Sequence, residues 1–552
     1  MSRLTPPVAM QTKSYVRGVE TVNGFDAWRL FEASAAGDMA TARALLAKDR
    51  RLVNAQFGYR FPIHWAVFAG KTEVVRLLLQ QGADPGQSIY TYDSWDKLLA
   101  SARARGNQKI ESLLEHAMRK RFQFAAEFDV LKDAIIARDA RRITAAVRRR
   151  PDVVLASDAL GNNALHWSVI TRQLDWIRRF VELGTPIDAP RADGQTPILL
   201  AINGATDYWY RATRGRTHPS LRNTSVLVGY LLAHGAYYSL SVAATIGDQE
   251  RVDQLLAEDT ELALQLDLAR VSPLSYAARA GHVHLVRKLL EHGANPRHPE
   301  DAAPQGRALY EACCGNHLPV AELLLAHGAD PNAGVDSCEC CLTIARIYHG
   351  TRAKPLERLL RRHGATMPPY RMSRAQLLKA IREDQPVTRH EEFLDSVLAK
   401  GNRALLEEYV NSPSCPSPNW YSIASSPTCS LALLDTLFDR GLDPHQTNWL
   451  GKTLLHAAAE VGDRAKAATL LDRGADINAR ELEFQGTPLA AAVRAWCAEA
   501  EPKLMPRRRL MVEFLLQRGA ATNLPDDELW ATPMAWAKNE HREDIVARLQ
   551  RP

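Results

Sequence analysis

The sequence predicts an all-α solenoid of roughly fifteen helix-turn-helix units in two arms, with long insertions between some helices. Three observations predict it. The 552 residues exceed what one compact core normally holds. A pattern of apolar residues and glycines recurs at intervals of 33 to 35 positions. Within each copy the apolar residues fall at helical spacing on two successive stripes.

The copies are legible by eye. "RFPIHWAVFAGKTEVVRLLLQQGADP" (60–85) returns as "NNALHWSVITRQLDWIRRFVELGTPID" (162–188), "VSPLSYAARAGHVHLVRKLLEHGANP" (271–296) and "RALYEACCGNHLPVAELLLAHGADPN" (307–332). It returns again as "GKTLLHAAAEVGDRAKAATLLDRGADIN" (451–478) and "WATPMAWAKNEHREDIVARL" (530–549). In the first copy Ile63, Ala66 and Val67 form one stripe, and Val74, Leu77 and Leu78 form a second. Pro62 suits a first helical position, Gly70 the turn between helices, and Gly82 a helix C-cap. Small residues such as Ala277 and Ala278 allow the paired helices to approach closely. No such unit can bury its apolar face alone, so neighbours must stack.

This period and pattern resemble the ankyrin repeat, and the length resembles that of large bacterial multi-repeat members of the family. The resemblance implies a turn and two antiparallel helices per unit, and a concave surface of turn tips and first helices that presents variable side chains to a partner. Weaker copies start near 26, 93, 129, 194, 238, 340, 391, 418 and 485.

In chain order, residues 1–25 read as a flexible N-terminal tail and 26–366 as a first arm carrying an insertion at 204–225. Residues 367–390 read as an irregular junction, and 391–552 as a second arm with an insertion at 494–509. The first insertion separates a proper first helix, "GQTPILLAIN", from a proper second, "VLVGYLLAHGA". Insertions in solenoids emerge on one face, often the binding face. Its Tyr208, Trp209, Tyr210, Arg211, Arg214 and Arg222 belong to the residue types that dominate interface hot spots, and they are the candidate partner anchors. The bland alternative has the rings covering neighbouring units. Trp65 and Trp167 are weaker anchor candidates, because they also suit the core. Arg507 to Arg509, in the second insertion, suit an extended charged helix.

Five of the eight cysteines fall in 313–341, where Cys314, His317, Cys338 and Cys341 approach a zinc spacing. The repeat register argues against zinc, since it sets the two pairs at opposite ends of a helix, ~13 Å apart at 1.5 Å per residue. Cys313 takes a small core position. His64, His166 and His456 occupy the His of the family's T-P-L-H element, where the resemblance implies a structural hydrogen bond rather than catalysis.

There is no G-x-x-x-x-G-K-[ST], H-E-x-x-H or G-x-S-x-G motif, and helical units claim nearly the whole length. The expected function is therefore protein binding, with no cofactor. An enzyme or small-molecule binder with a pocket beneath the 204–225 insertion is one alternative. A nucleic-acid binder is the other, because 101–150 holds 13 Lys/Arg against 6 Asp/Glu and net charge is +6. No apolar run suffices for a membrane span. With no secretory leader and no disulfide framework, a cytoplasmic setting is expected.

Overall fold

The computed structural model describes residues 6–7, 10–17, 20–57, 60–86, 98–203, 224–300, 303–335, 340–366, 375, 403–410, 420–448, 450–481, 485–499, 501, 503–525, 527 and 531–550. The chain divides into two compact units, Ala9–Thr366 and Met367–Pro552, the second also taking Met1–Val8.

In Ala9–Thr366 the described residues form ten antiparallel helix pairs, from Gly24–Ala36 with Met39–Lys48 to Cys341–His349 with Lys354–Arg362. Among the described residues the second unit holds four pairs and the helix Arg403–Val410. The fold is the expected all-α solenoid. Strand is confined, among the described residues, to a small hairpin, Tyr15–Arg17 with Glu20–Val22. That hairpin corrects part of the tail expected over 1–25. Tyr15 is buried and donates its hydroxyl to the Gln56 carbonyl at 2.6 Å, and Met10 is wholly buried.

Each unit follows local rules. Ser272 is the N-cap of Pro273–Ala280, its hydroxyl accepting from the Ser275 N–H, and Pro273 takes the first helical position. Gly281 ends that helix at φ 79°, a conformation that costs glycine little. It also permits a close approach, since a Cβ there would lie 2.6 Å from the His317 ring. The second helix, Val283–Glu291, buries Leu285, Val286, Leu289 and Leu290. Removing such a side chain from water is worth about 1.5–3 kcal/mol. Ala277 and Ala278 have no exposure, as helices packed at their backbones require.

Three second helices instead end in 3-10 turns, Arg50–Asn54, Pro151–Leu155 and Thr260–Ala263. In two of these, Asp49 and Asp259 accept from the N–H groups of Arg51 and Glu261.

Neighbouring units are stapled by a device that recurs along the chain. The side chain opening one second helix reaches back to a carbonyl at the end of the preceding unit's first helix. His282 Nε2 meets the Thr245 carbonyl at 3.1 Å, and His317 Nε2 meets that of Arg279 at 3.1 Å. A variant comes from His349, the last residue of the first helix Cys341–His349, whose Nε2 meets the Cys314 carbonyl at 2.8 Å. In the other compact unit Lys466 Nζ donates to the Ala424 and Ser426 carbonyls at 2.9 and 2.8 Å, and Arg542 to that of Trp496 at 3.1 Å. These donors satisfy carbonyls that the helix itself leaves unpaired.

Candidate interaction site

The T-P-L-H histidines come first, because their chemistry decides whether they act on a ligand. His166 and His456 have no exposure. In each, Nδ1 accepts from the N-cap backbone N–H, of Asn163 or Thr453, at 3.2 Å. Nε2 lies 3.1 Å from a carbonyl of the next unit's turn, Gln195 or Gly486. With Nδ1 accepting, Nε2 carries the proton and donates it across the unit boundary. Burial depresses His166 to about 3 and His456 to about 4. His64 is likewise buried and depressed to about 3, with Nδ1 accepting from the Phe61 N–H. His166 and His456 are neutral structural braces between units, and His64 is a neutral cap of its own helix.

Trp65 and Trp167 are core residues, which corrects their place among the anchors. Trp65 is 3% exposed and packs edge-on against Trp28 at 5.5 Å between ring centroids. Trp167 is wholly buried, and its Nε1 donates to Asp158 at 3.0 Å. Neither has surface to offer a partner. The other anchors, Tyr208, Trp209, Tyr210, Arg211, Arg214 and Arg222, lie outside the described residues.

Cys338 also lies outside them. Of its proposed companions, His317 spends Nε2 on the Arg279 carbonyl, and the Cys341 thiol lies 3.2 Å from the Ala333 carbonyl. Burial pushes the Cys314 and Cys341 thiols well above their ordinary range, which opposes both nucleophilic and ligand chemistry. Cys313 is fully buried. Among the described residues no group of three His, Cys, Asp or Glu is placed to hold a metal.

Several of the basic runs are engaged within the protein. Arg119 pairs with Glu115 at 2.7 Å and Arg121 with Asp84 at 2.8 Å. Arg507 donates to the Gly462 carbonyl at 3.2 Å, and Arg508 pairs with Glu499 at 3.0 Å and also reaches the Glu460 carbonyl. The second insertion thereby lengthens two helices, Pro488–Cys497 and Met505–Gln517, and staples them to the preceding unit.

An open groove of about 420 Å3 lies where three successive units present their connecting segments, within residues 188–273. Its apolar lining includes Ile198, Leu199, Leu240, Leu255, Leu262 and Leu266. Tyr237 and Leu268 also line it and are 66% and 63% exposed, far more than apolar side chains of their size normally are. The walls touch at their backbones. Gly194, at φ 82°, sits so close to the Leu268 carbonyl that a Cβ would lie 1.6 Å from its oxygen.

Asp188 and Asp267 supply charge to the groove, and among the described residues its lining contains no Lys or Arg. Asp188 Oδ1 accepts from the Tyr237 N–H at 3.0 Å, and Asp267 Oδ1 from the Val271 N–H at 3.1 Å. Burial raises the Asp267 carboxyl above its usual range, partly opposed by its hydrogen bonds. The groove is placed at the N-terminal end of the helix Pro197–Asn203, whereas the 204–225 insertion leaves from that helix's C-terminal end. The groove is not legible in the sequence, because it combines residues of three units, some from helices and some from the turns between them.

Beside the groove, a buried ionic network joins the last of these three units to the next. Arg279 makes a bidentate pair with Glu311 at 2.7 and 2.9 Å, and Arg307 approaches Glu311 at 3.6 Å and Glu300 at 4.0 Å. Glu300 accepts from the hydroxyls of Ser272 and Ser275, both at 2.7 Å. Ser275 stands where other units carry His, so this carboxylate replaces the imidazole brace.

Comparison with known proteins agrees with the geometry. Residues 240–334 match a family model of three ankyrin repeats, and 59–88 and 450–482 each match a single ankyrin repeat. The mouse leucine-rich repeat serine/threonine-protein kinase 1 is 37% identical over 136 residues, 24% of this chain and 7% of the kinase. The mouse B-cell lymphoma 3 protein homolog is 35% identical over 98 residues, 18% of this chain and 19% of that protein. Human B-cell lymphoma 3 protein is 41% identical over 68 residues, 12% of this chain and 15% of its own length. The chain therefore spans less than a fifth of each of these relatives. Helix pairs at the repeat period, imidazole braces between units and family matches in both compact units make this chain an ankyrin-repeat protein.

Proposed function

We propose that this chain is a recognition scaffold that binds another protein through the groove within 188–273, with the anchor candidates of the 204–225 insertion as a second, separately testable set of contacts. The observation that carries the reading is the groove itself: about 420 Å3, apolar in its floor, with Tyr237 and Leu268 held out to solvent. Side chains exposed at this cost in a stacked, rigid framework suit a surface that is covered in use. Rigid stacking also means that little ordering entropy opposes binding.

The test is affinity capture from the source lysate with four baits: the intact chain, Leu268→Asp, Tyr237→Ala, and a chain whose residues 206–224 are replaced by a short Gly-Ser turn. Helical content should be the same in all four. A partner held by the intact chain and lost from Leu268→Asp and Tyr237→Ala supports the groove, and its further loss from the loop replacement supports the insertion. A partner retained by all three variants refutes the reading.

A further inference from the structure

We infer that the groove within 188–273 takes a basic, apolar peptide segment, in which a Lys or Arg side chain lies beside a leucine-like one. This deepens the binding reading above and rests on it.

The inference comes from asking what each carboxylate in the groove is for. Asp188 has a structural duty, accepting the Tyr237 N–H at 3.0 Å. The same position in two other units is held by asparagine. Asn332 Oδ1 accepts the Thr366 N–H at 2.9 Å, and Asn478 Oδ1 accepts the Ala521 N–H at 2.9 Å. A neutral amide therefore makes that bond, and the charge of Asp188 is surplus to it.

Asp267 holds a turn position that another unit fills with a carboxylate, Asp158, and a third with a neutral amide. It stands eight residues before Ser275, as Asn448 stands eight before His456. Asn448 Oδ1 accepts the N–H groups of Leu450 and Lys452 at 2.9 and 3.0 Å, holding its turn without a charge. Asp267 holds the Val271 N–H at 3.1 Å. In both places the turn needs an oxygen acceptor, and in both the groove receives a carboxylate.

Two surplus negative charges thus sit among the groove's aliphatic and neutral polar side chains, with no Lys or Arg among its described lining residues. An apolar environment strengthens the pull of a carboxylate on an incoming cation and raises the cost of bringing an anion or leaving the carboxylate unpaired. The floor of leucines and isoleucine accepts an aliphatic side chain. Charge and floor together select a basic, apolar segment and reject an acidic one. Nucleic acid is disfavoured for the same reason, because its phosphates would face these carboxylates.

The experiment uses the full chain and three short fluorescein-labelled peptides that alternate leucine with lysine, glutamine or glutamate. Binding is followed by fluorescence anisotropy at low and at physiological salt. The expected result is lysine–leucine binding at least about tenfold tighter than either other peptide. That preference should vanish in Asp188→Asn/Asp267→Asn, whose far-ultraviolet circular dichroism should stay unchanged because asparagine keeps both acceptors. Leu268→Asp should reduce binding of any leucine peptide that enters the groove.

Equal binding of the glutamine peptide, lost in Leu268→Asp, would overturn the charge inference while leaving the groove reading intact. A lysine preference that survives the double asparagine variant would also overturn it. Lysine–leucine binding insensitive to Leu268→Asp would remove the groove from consideration altogether, and no binding of any peptide would refute the proposed ligand class.

Discussion

Acid should loosen this protein through its buried histidines, and replacing one of them should remove a calculable part of that sensitivity. His166 is wholly buried and depressed to about 3, against 6.5 for the free side chain, because burial disfavours the imidazolium. A proton that the folded unit refuses is taken up by the unfolded one as soon as pH falls below 6.5. The unfolded state then binds more protons, so the stability present above that pH is lost as pH falls toward about 3. The slope is about 1.36 kcal/mol per pH unit, so at about pH 5 a single histidine of this kind has cost about 2 kcal/mol. In His166→Gln the titrating group is gone. The variant loses the brace between Asn163 and Gln195, about 1–3 kcal/mol at neutral pH. Its additional loss on going from pH 7 to 5, however, should be about 2 kcal/mol smaller than in the parent. Stability in a solenoid is a sum of local terms, so the readout should be local. Hydrogen exchange by mass spectrometry on peptides spanning 160–183, corrected for intrinsic rates, gives the opening free energy of this unit at both pH values. Identical pH sensitivity in parent and variant would refute the assignment of His166 as a neutral, buried brace.

Three further outcomes are expected. Glu311→Gln leaves the buried Arg279 without its bidentate partner and should destabilise the 271–332 region by about 3–5 kcal/mol, measured by urea denaturation, whereas a change under about 1 kcal/mol would show the network to be inert. Gly281→Ala meets both a left-handed φ and the His317 ring 2.6 Å away, so it should lower the melting temperature by more than the same change at Gly229, which has open space around it. Elemental analysis after dialysis should find well under one zinc per chain, given the commitment of His317 and Cys341 to backbone carbonyls, and one zinc per chain would overturn that assignment.

The sequence by itself determined the repeating architecture. Apolar stripes at helical spacing, Pro at first helical positions and Gly at helix ends are local rules, and each unit obeys them within some thirty residues. Ser272, Pro273 and Gly281 illustrate this, since each is legible one unit at a time. The histidine braces were legible too, but only through likeness to the family, because their function is a bond to the next unit's turn.

Whatever depends on residues one period apart became visible only in the tertiary structure. Arg279 and Glu311 are 32 positions apart, and His317 and Arg279 are 38 apart, with nothing in either local stretch to announce the bond. Trp65 and Trp167 show the same division from the other side. Their helical positions were plain from sequence, yet whether a tryptophan faces a partner or a neighbouring unit depends on what stacks against it, and here Trp28 packs against one while Asp158 bonds the other. The groove is the fullest case. It draws on helix and turn residues of three units, and nothing within one unit shows which of them share a surface. Its charge likewise acquired meaning only when Asp188 and Asp267 were seen to make bonds that Asn332, Asn478 and Asn448 make without one. Local propensity dictates each unit, but stacking decides which side chains are left over for binding.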